Sequence, residues 1–72
     1  MIVGIFIKIG NILFTIMTQT KLCISYCRAN GLEFFPNTEY KIEFNPIDKQ
    51  LRIYNCWGGT IIPKWFVNEN FI

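Results

Sequence analysis

The stretch "NCWGGTIIPKWFV", Asn55 to Val67, holds two tryptophans, a glycine pair and a proline in thirteen residues of a 72-residue chain. It reads as the closing hairpin of a small β domain. Gly58-Gly59 supplies the turn, "TII" leaves it as a strand, and Pro63 ends that strand by withholding a backbone donor. Phe66 or Val67 then returns to the core through a short 3₁₀-like turn. If Phe66 points inward, neighbouring Trp65 points elsewhere. Trp57 sits at the hairpin tip, where burial is hardest.

Upstream, the apolar pattern has a period of two from Lys21 onward. Leu22, Ile24 and Tyr26 share one face and Cys23, Ser25 and Cys27 the other, until Asn30-Gly31, where left-handed backbone is inexpensive. In "LEFFPNTEYKIEFN", Leu32 to Asn45, the residues Tyr40, Ile42 and Phe44 alternate with Lys41, Glu43 and Asn45, as in a half-buried strand. Pro36-Asn37 makes the turn before it, and Asn45 to Lys49 the turn after. "QLRIYN" then sets Leu51 and Ile53 against Arg52 and Tyr54. Short strands about ten residues apart, with turn residues between them, describe a sandwich or small barrel. At this length a five-stranded barrel over residues 21–72 is the economical expectation, because closure removes exposed edges.

The chain also resembles Src-homology-3-like barrels over roughly residues 21–68. Leu32, Phe34, Asn37, Tyr40 and Ile42 have the spacing of that family's diverging turn, with Asn37 where glycine is usual. "GGTIIPKWFV" is similar to its closing segment, with Pro63, Phe66 and Val67 in the proline, aromatic and valine positions. The overall pattern is similar to that of short Src-homology-3-like proteins encoded by bacteriophages. The resemblance implies an all-β barrel and a binding role, such as a phage factor that modulates a host protein. It stops short of a proline-rich ligand. Gln50 and Leu51 stand where a ligand-gripping tryptophan is expected, "YCRANGLE" replaces the acidic loop, and only Pro63 and Phe66 match half of such a groove.

Ahead of this domain lies "MIVGIFIKIGNILFTIM", residues 1–17. As a helix it aligns Gly4, Lys8, Asn11 and Thr15 on one stripe, with Ile, Phe and Leu elsewhere, which suits a membrane-associated segment. Seventeen residues are short for a span of about 20, and a central Lys8 costs ~2.5–3.5 kcal/mol on insertion. As strands, "VGIFIKI" and "ILFTI" flank Gly10-Asn11, a two-residue hairpin signal. An extension upstream of a domain starting at Met17 and a cleaved signal peptide complete the readings. The helical one leads.

Composition narrows the function classes. Apolar residues make up 51% and aromatics 17% of the chain, far from a disordered composition. Seven Lys/Arg against five Asp/Glu leave a net charge of +2, mild for a nucleic-acid binder. Three cysteines, Cys23, Cys27 and Cys56, argue against a disulfide framework and for a reducing, cytoplasmic setting, attached to the inner face of a membrane if residues 1–17 anchor the chain. With no histidine in the chain, both a zinc site and the commonest general base are missing. No phosphate-cradling loop or nucleophile motif appears either. An enzyme, a cofactor and a metal centre are therefore not expected.

A non-catalytic protein-interaction module is the leading expectation. Its partner-binding residues are Tyr54, Trp57, Trp65 and Phe35, since exposed Trp and Tyr carry much of the energy of interfaces. The alternatives are a nucleic-acid-binding barrel that stacks bases beside Lys41, Arg52 and Lys64, and a small membrane-anchored protein.

Overall fold

The computed structural model describes the backbone of residues 2–9 and 12–72 and the side chains of residues 16–72. The chain is mostly β. Its strands are β1 (Ile2–Ile9), β2 (Ile12–Leu22), β3 (Cys27–Ala29), β4 (Leu32–Phe34), β5 (Glu39–Asn45), β6 (Gln50–Asn55) and β7 (Gly58–Ile62), followed by one helix, α1 (Lys64–Asn70). Five strands form an antiparallel sheet in the order β1-β2-β5-β6-β7, and β3-β4 is a separate hairpin.

The hydrophobic N-terminal segment is therefore not helical. Residues 2–9 pair with 12–19 in continuous antiparallel register, from Ile2–Gln19 to Ile9–Ile12. Isoleucine explains this: its branched Cβ loses rotamer freedom in a helix and packs well on a pleated surface. The Gly10-Asn11 dipeptide lies outside the described residues. Among the described residues no helix is long and apolar enough to cross a membrane. β2 pairs with β5 from Met17 to Leu22, so, among the described residues, residues 12–16 pair with β1 alone. This two-stranded ribbon runs out from the sheet of a molecule measuring 42 × 24 × 22 Å.

The expected closed five-stranded barrel is corrected as well. The five-stranded sheet gains its extra strand from the N-terminal ribbon, and it stays open, with β1 at one edge and β7 at the other. At the end of β2 the chain bonds to two segments at once. The Cys23 N–H donates to the Thr38 carbonyl and the Cys23 carbonyl accepts the Asn37 N–H, both at 2.9 Å. Leu22 and Ile72 exchange two backbone bonds of 2.9 Å, and the Ile24 N–H donates to the Asn70 carbonyl at 2.8 Å. Cys23 and Phe71 form a lone antiparallel bridge.

Strand pairing sorts side chains into two faces, since partners across a sheet share a face. Ile42, Ile53 and Thr60 lie side by side, as do Phe44, Leu51 and Ile62. Ile42, Ile53 and Ile62 are buried with Cys23, Phe34, Phe66, Val67 and Phe71. Phe34 is fully buried and meets Tyr40, Phe66 and Phe71 edge-on, with centroids 5.0–6.4 Å away. The opposite face carries Thr18, Glu43, Arg52 and Ile61 in one row and Thr20, Lys41, Tyr54 and Gly59 in the next.

Two further expectations are revised locally. The hairpin between β6 and β7 turns at Cys56-Trp57, because Asn55 pairs with Gly58. The Asn55 side chain accepts the Trp57 N–H at 2.8 Å, and Gly58 closes the turn with a positive φ of 142°. The segment after Pro63 is an α-helix of seven residues rather than a 3₁₀-like turn, and it buries both Phe66 and Val67. Asn70 secures its end: its amide donates to the Phe66 carbonyl at 2.9 Å while its oxygen accepts the Ser25 hydroxyl at 2.7 Å. The Asn turns form where expected, with positive φ at Asn30 (50°) and Asn37 (65°).

Candidate functional site

Three of the four expected partner-binding residues meet around one cleft of about 680 Å³. Phe35, Tyr54 and Trp57 line it together with Tyr40, Lys41 and Glu39. Each is placed by a local device. Trp57 stands on the two-residue turn after β6 and is 85% exposed. Phe35 follows β4, where the alternation that buries Phe34 turns the next ring outward; it is 50% exposed and rests against Tyr26 at 5.5 Å between centroids. The Phe35 N–H donates to the Tyr40 hydroxyl at 2.9 Å, tying the turn to β5. On the far wall, the Asn55 amide donates to the Glu33 carbonyl at 3.0 Å.

Tyr54 is the most constrained of the four. Its ring lies over Gly59 of the neighbouring strand, where an added Cβ would fall 3.2 Å from Cγ and well inside contact distance of Cδ1 and Cε1. The Tyr54 hydroxyl donates to the Glu43 carboxylate at 3.2 Å, and Lys41 Nζ stands 4.6 Å from the ring centroid, a cation–π contact. Burial raises the phenol's pKa above its ordinary value of 10.0, and the nearby Glu43 charge and hydrogen bond add to the rise.

Trp65 is not part of this cleft. It projects from α1, 60% exposed, with its ring edge-on to Phe66 at 6.0 Å. The residues expected for nucleic acid do not converge either. Lys41 lines the aromatic cleft, whereas Arg52 forms an ion pair with Asp48. That pair holds the Asp48 carboxyl below its ordinary pKa. Lys64, at the start of α1, lines a different cleft with Lys21 and Lys49. Glu43 separates Lys41 from Arg52 on the sheet, so this face is mixed in charge rather than basic.

Sequence reasoning missed Tyr40, Glu39 and the role of Gly59. Tyr40 reads as a core-facing strand residue, and only the tertiary bond to Phe35 brings its hydroxyl to the cleft. Gly59 did carry a signal: a glycine inside a strand often marks the close approach of another group. Among the described residues, no three Cys, Asp or Glu side chains gather as metal ligands. The thiol of Cys27 is pushed up to about 11, chiefly by burial and further by neighbouring Cys23, which suits a packed residue rather than a nucleophile. No family model, curated protein or solved structure matches the chain.

Proposed function

We propose that the chain is a non-catalytic protein-interaction module that grips its partner in the aromatic cleft of Phe35, Tyr54 and Trp57. The exposure of Trp57 carries this reading. A ring 85% in solvent contributes little to the fold, yet beside Phe35 and a clamped Tyr54 it offers the rigid aromatic anchor that binding interfaces favour. The cleft's polar margin of Glu39 and Lys41 supplies orienting groups beside the apolar wall. The element order supports keeping the Src-homology-3-like resemblance as part of the proposal, in an opened form. A β3-β4 hairpin, the Asn37 turn, a β5-β6-β7 meander and a helix that leads back to Cys23 follow in that family's sequence. With the phage setting that resemblance implies, the partner is a host protein in the cytoplasm.

The test is a pull-down from lysate with the full chain and with a Phe35→Ala/Trp57→Ala variant, each with and without nuclease. A protein retained by the parent chain after nuclease and lost by the variant supports the reading. Equal retention by both chains refutes the cleft as the binding surface. A partner released by nuclease moves the assignment to nucleic acid, with Lys41 and the cleft rings as its contacts.

A further inference from the structure

A second cleft, of about 760 Å³, opens at the other end of the strands, around the end of β5, the start of β6 and the first turn of α1. Three lysines line it, each delivered by a different element. Lys21 comes from β2, Lys49 from the β5-β6 turn and Lys64 from the first position of α1. Its lining residues include no carboxylate, so the three lysines leave the wall positive. The whole chain has a net charge of only +2. Three of the chain's seven Lys/Arg thus line one cleft although they lie far apart in sequence. The turn that presents Lys49 is held in place by its left-handed backbone (φ 59°) and by its N–H, which donates to the Asn45 carbonyl at 2.7 Å.

Between the lysines the cleft is aliphatic. Leu51, Ile61, Ile62 and Val67 line it, and Phe44 is its one ring. We propose that this cleft binds an extended peptide segment in which acidic and aliphatic residues alternate, at a site separate from the aromatic cleft. Successive side chains of an extended segment point to opposite faces. Alternation therefore presents one aliphatic row to the floor while the carboxylates of the other row reach the lysines at the rim. Lysine suits this role, because its ammonium stays hydrated while its stem covers apolar surface. Nucleic acid is the poorer fit. Bases bind by stacking on aromatic planes, and this wall offers a single ring with no arginine.

The experiment is a fluorescence-anisotropy titration of the full chain with a labelled peptide of alternating Glu and Leu. An oligothymidylate and a Lys–Leu peptide serve as comparison probes. An exposed charge pair is worth a factor of roughly 1.4 to 5, so Lys21→Gln/Lys49→Gln/Lys64→Gln should weaken Glu–Leu binding about tenfold. Added salt should weaken it further in the parent chain than in this variant, while Phe35→Ala/Trp57→Ala leaves it unchanged. Circular dichroism of both variants checks that they remain folded. Absence of saturable Glu–Leu binding overturns the proposal, as does binding indifferent to the three lysines. Loss on Phe35→Ala/Trp57→Ala alone would place the peptide in the aromatic cleft instead, and tighter, lysine-dependent binding of the oligothymidylate would make this a nucleic-acid site.

Discussion

Replacing Gly59 by alanine isolates the contact that orients Tyr54. The new methyl group would occupy the space of the ring, 3.2 Å from Cγ and closer still to Cδ1 and Cε1. The strand cannot yield without losing its pairing to β6, so the ring must swing away. That motion gives up the Lys41 contact, ~0.5–1 kcal/mol at an exposed site, and the bond to Glu43, ~1 kcal/mol when partly solvated. Overpacking elsewhere costs ~1–3 kcal/mol, while alanine recovers ~0.5–1 kcal/mol over glycine in a strand. The two lost contacts less that gain leave an expected net loss of about 0.5–1.5 kcal/mol. A small domain shows this as a fall in Tm of roughly 4–8 °C per kcal/mol. The decisive quantity is the coupling in a double-mutant cycle with Tyr54→Ala, read by urea unfolding. Once the ring is gone, Gly59→Ala should become neutral or stabilising, giving a coupling of about 1–3 kcal/mol. Strict additivity of the two substitutions would show that the ring does not rest on Gly59, and the account of the cleft wall would fail with it.

Three further outcomes follow from the same geometry. The folded state holds protons on Tyr54 and Cys27 more tightly than free side chains do. The stability they contribute is complete below pH 9 and is lost as pH rises through their raised folded-state values, about 11 for Cys27. Urea midpoints measured from pH 8 to 11 should fall, and less steeply in Tyr54→Phe and Cys27→Ser. Phe34→Ala removes the fully buried ring that touches Tyr40, Phe66 and Phe71. It should cost ~3–5 kcal/mol, enough to abolish a cooperative thermal transition in a domain of this size; a retained transition would place the core elsewhere. Finally, a thiol reagent at pH 8 should modify exposed Cys56 first and buried Cys23 last, as mass spectrometry after timed quenching would record.

The parts of the fold legible in the sequence were those where one local signal had no competitor. The alternation in Tyr40-Lys41-Ile42-Glu43-Phe44 admits only a strand with one buried face, and Ile42 is the buried residue it implies. Asn30 and Asn37 take the left-handed backbone their side chains tolerate. Residues 1–17 were ambiguous because two local signals competed: Gly4, Lys8, Asn11 and Thr15 mark a helical stripe, while Gly10-Asn11 between isoleucine-rich runs marks a hairpin. The resolution lies in long-range pairing of Met17–Leu22 with β5. Gly58-Gly59 misled for a related reason: the turn falls earlier, at Cys56-Trp57, so Gly58 follows it with a positive φ of 142° and Gly59 makes room for the Tyr54 ring. Of the site, the sequence leaves open which tryptophans are exposed, because a core this small can use any ring; the structure leaves both Trp57 and Trp65 in solvent. The separation of Trp65 from the other three rings was not legible either, since it depends on where α1 docks.

The seam between residues 22–24 and 70–72 also sets an order of events during synthesis. The β1-β2 ribbon, the β3-β4 hairpin and the β5-β6-β7 meander are each built from neighbours in sequence, and each can form as it leaves the ribosome. The bonds of Leu22 and Ile24 to Ile72 and Asn70 span some fifty residues. Phe71, which packs over Phe34 and bridges Cys23, follows all the strands in chain order. Until it emerges, the nascent chain carries preformed hairpins around an uncovered apolar centre. The strand pairings and the closure of the core are thus separable: the pairings depend on sequence neighbours, whereas the core is covered only when residues 70–72 reach back to residues 22–24.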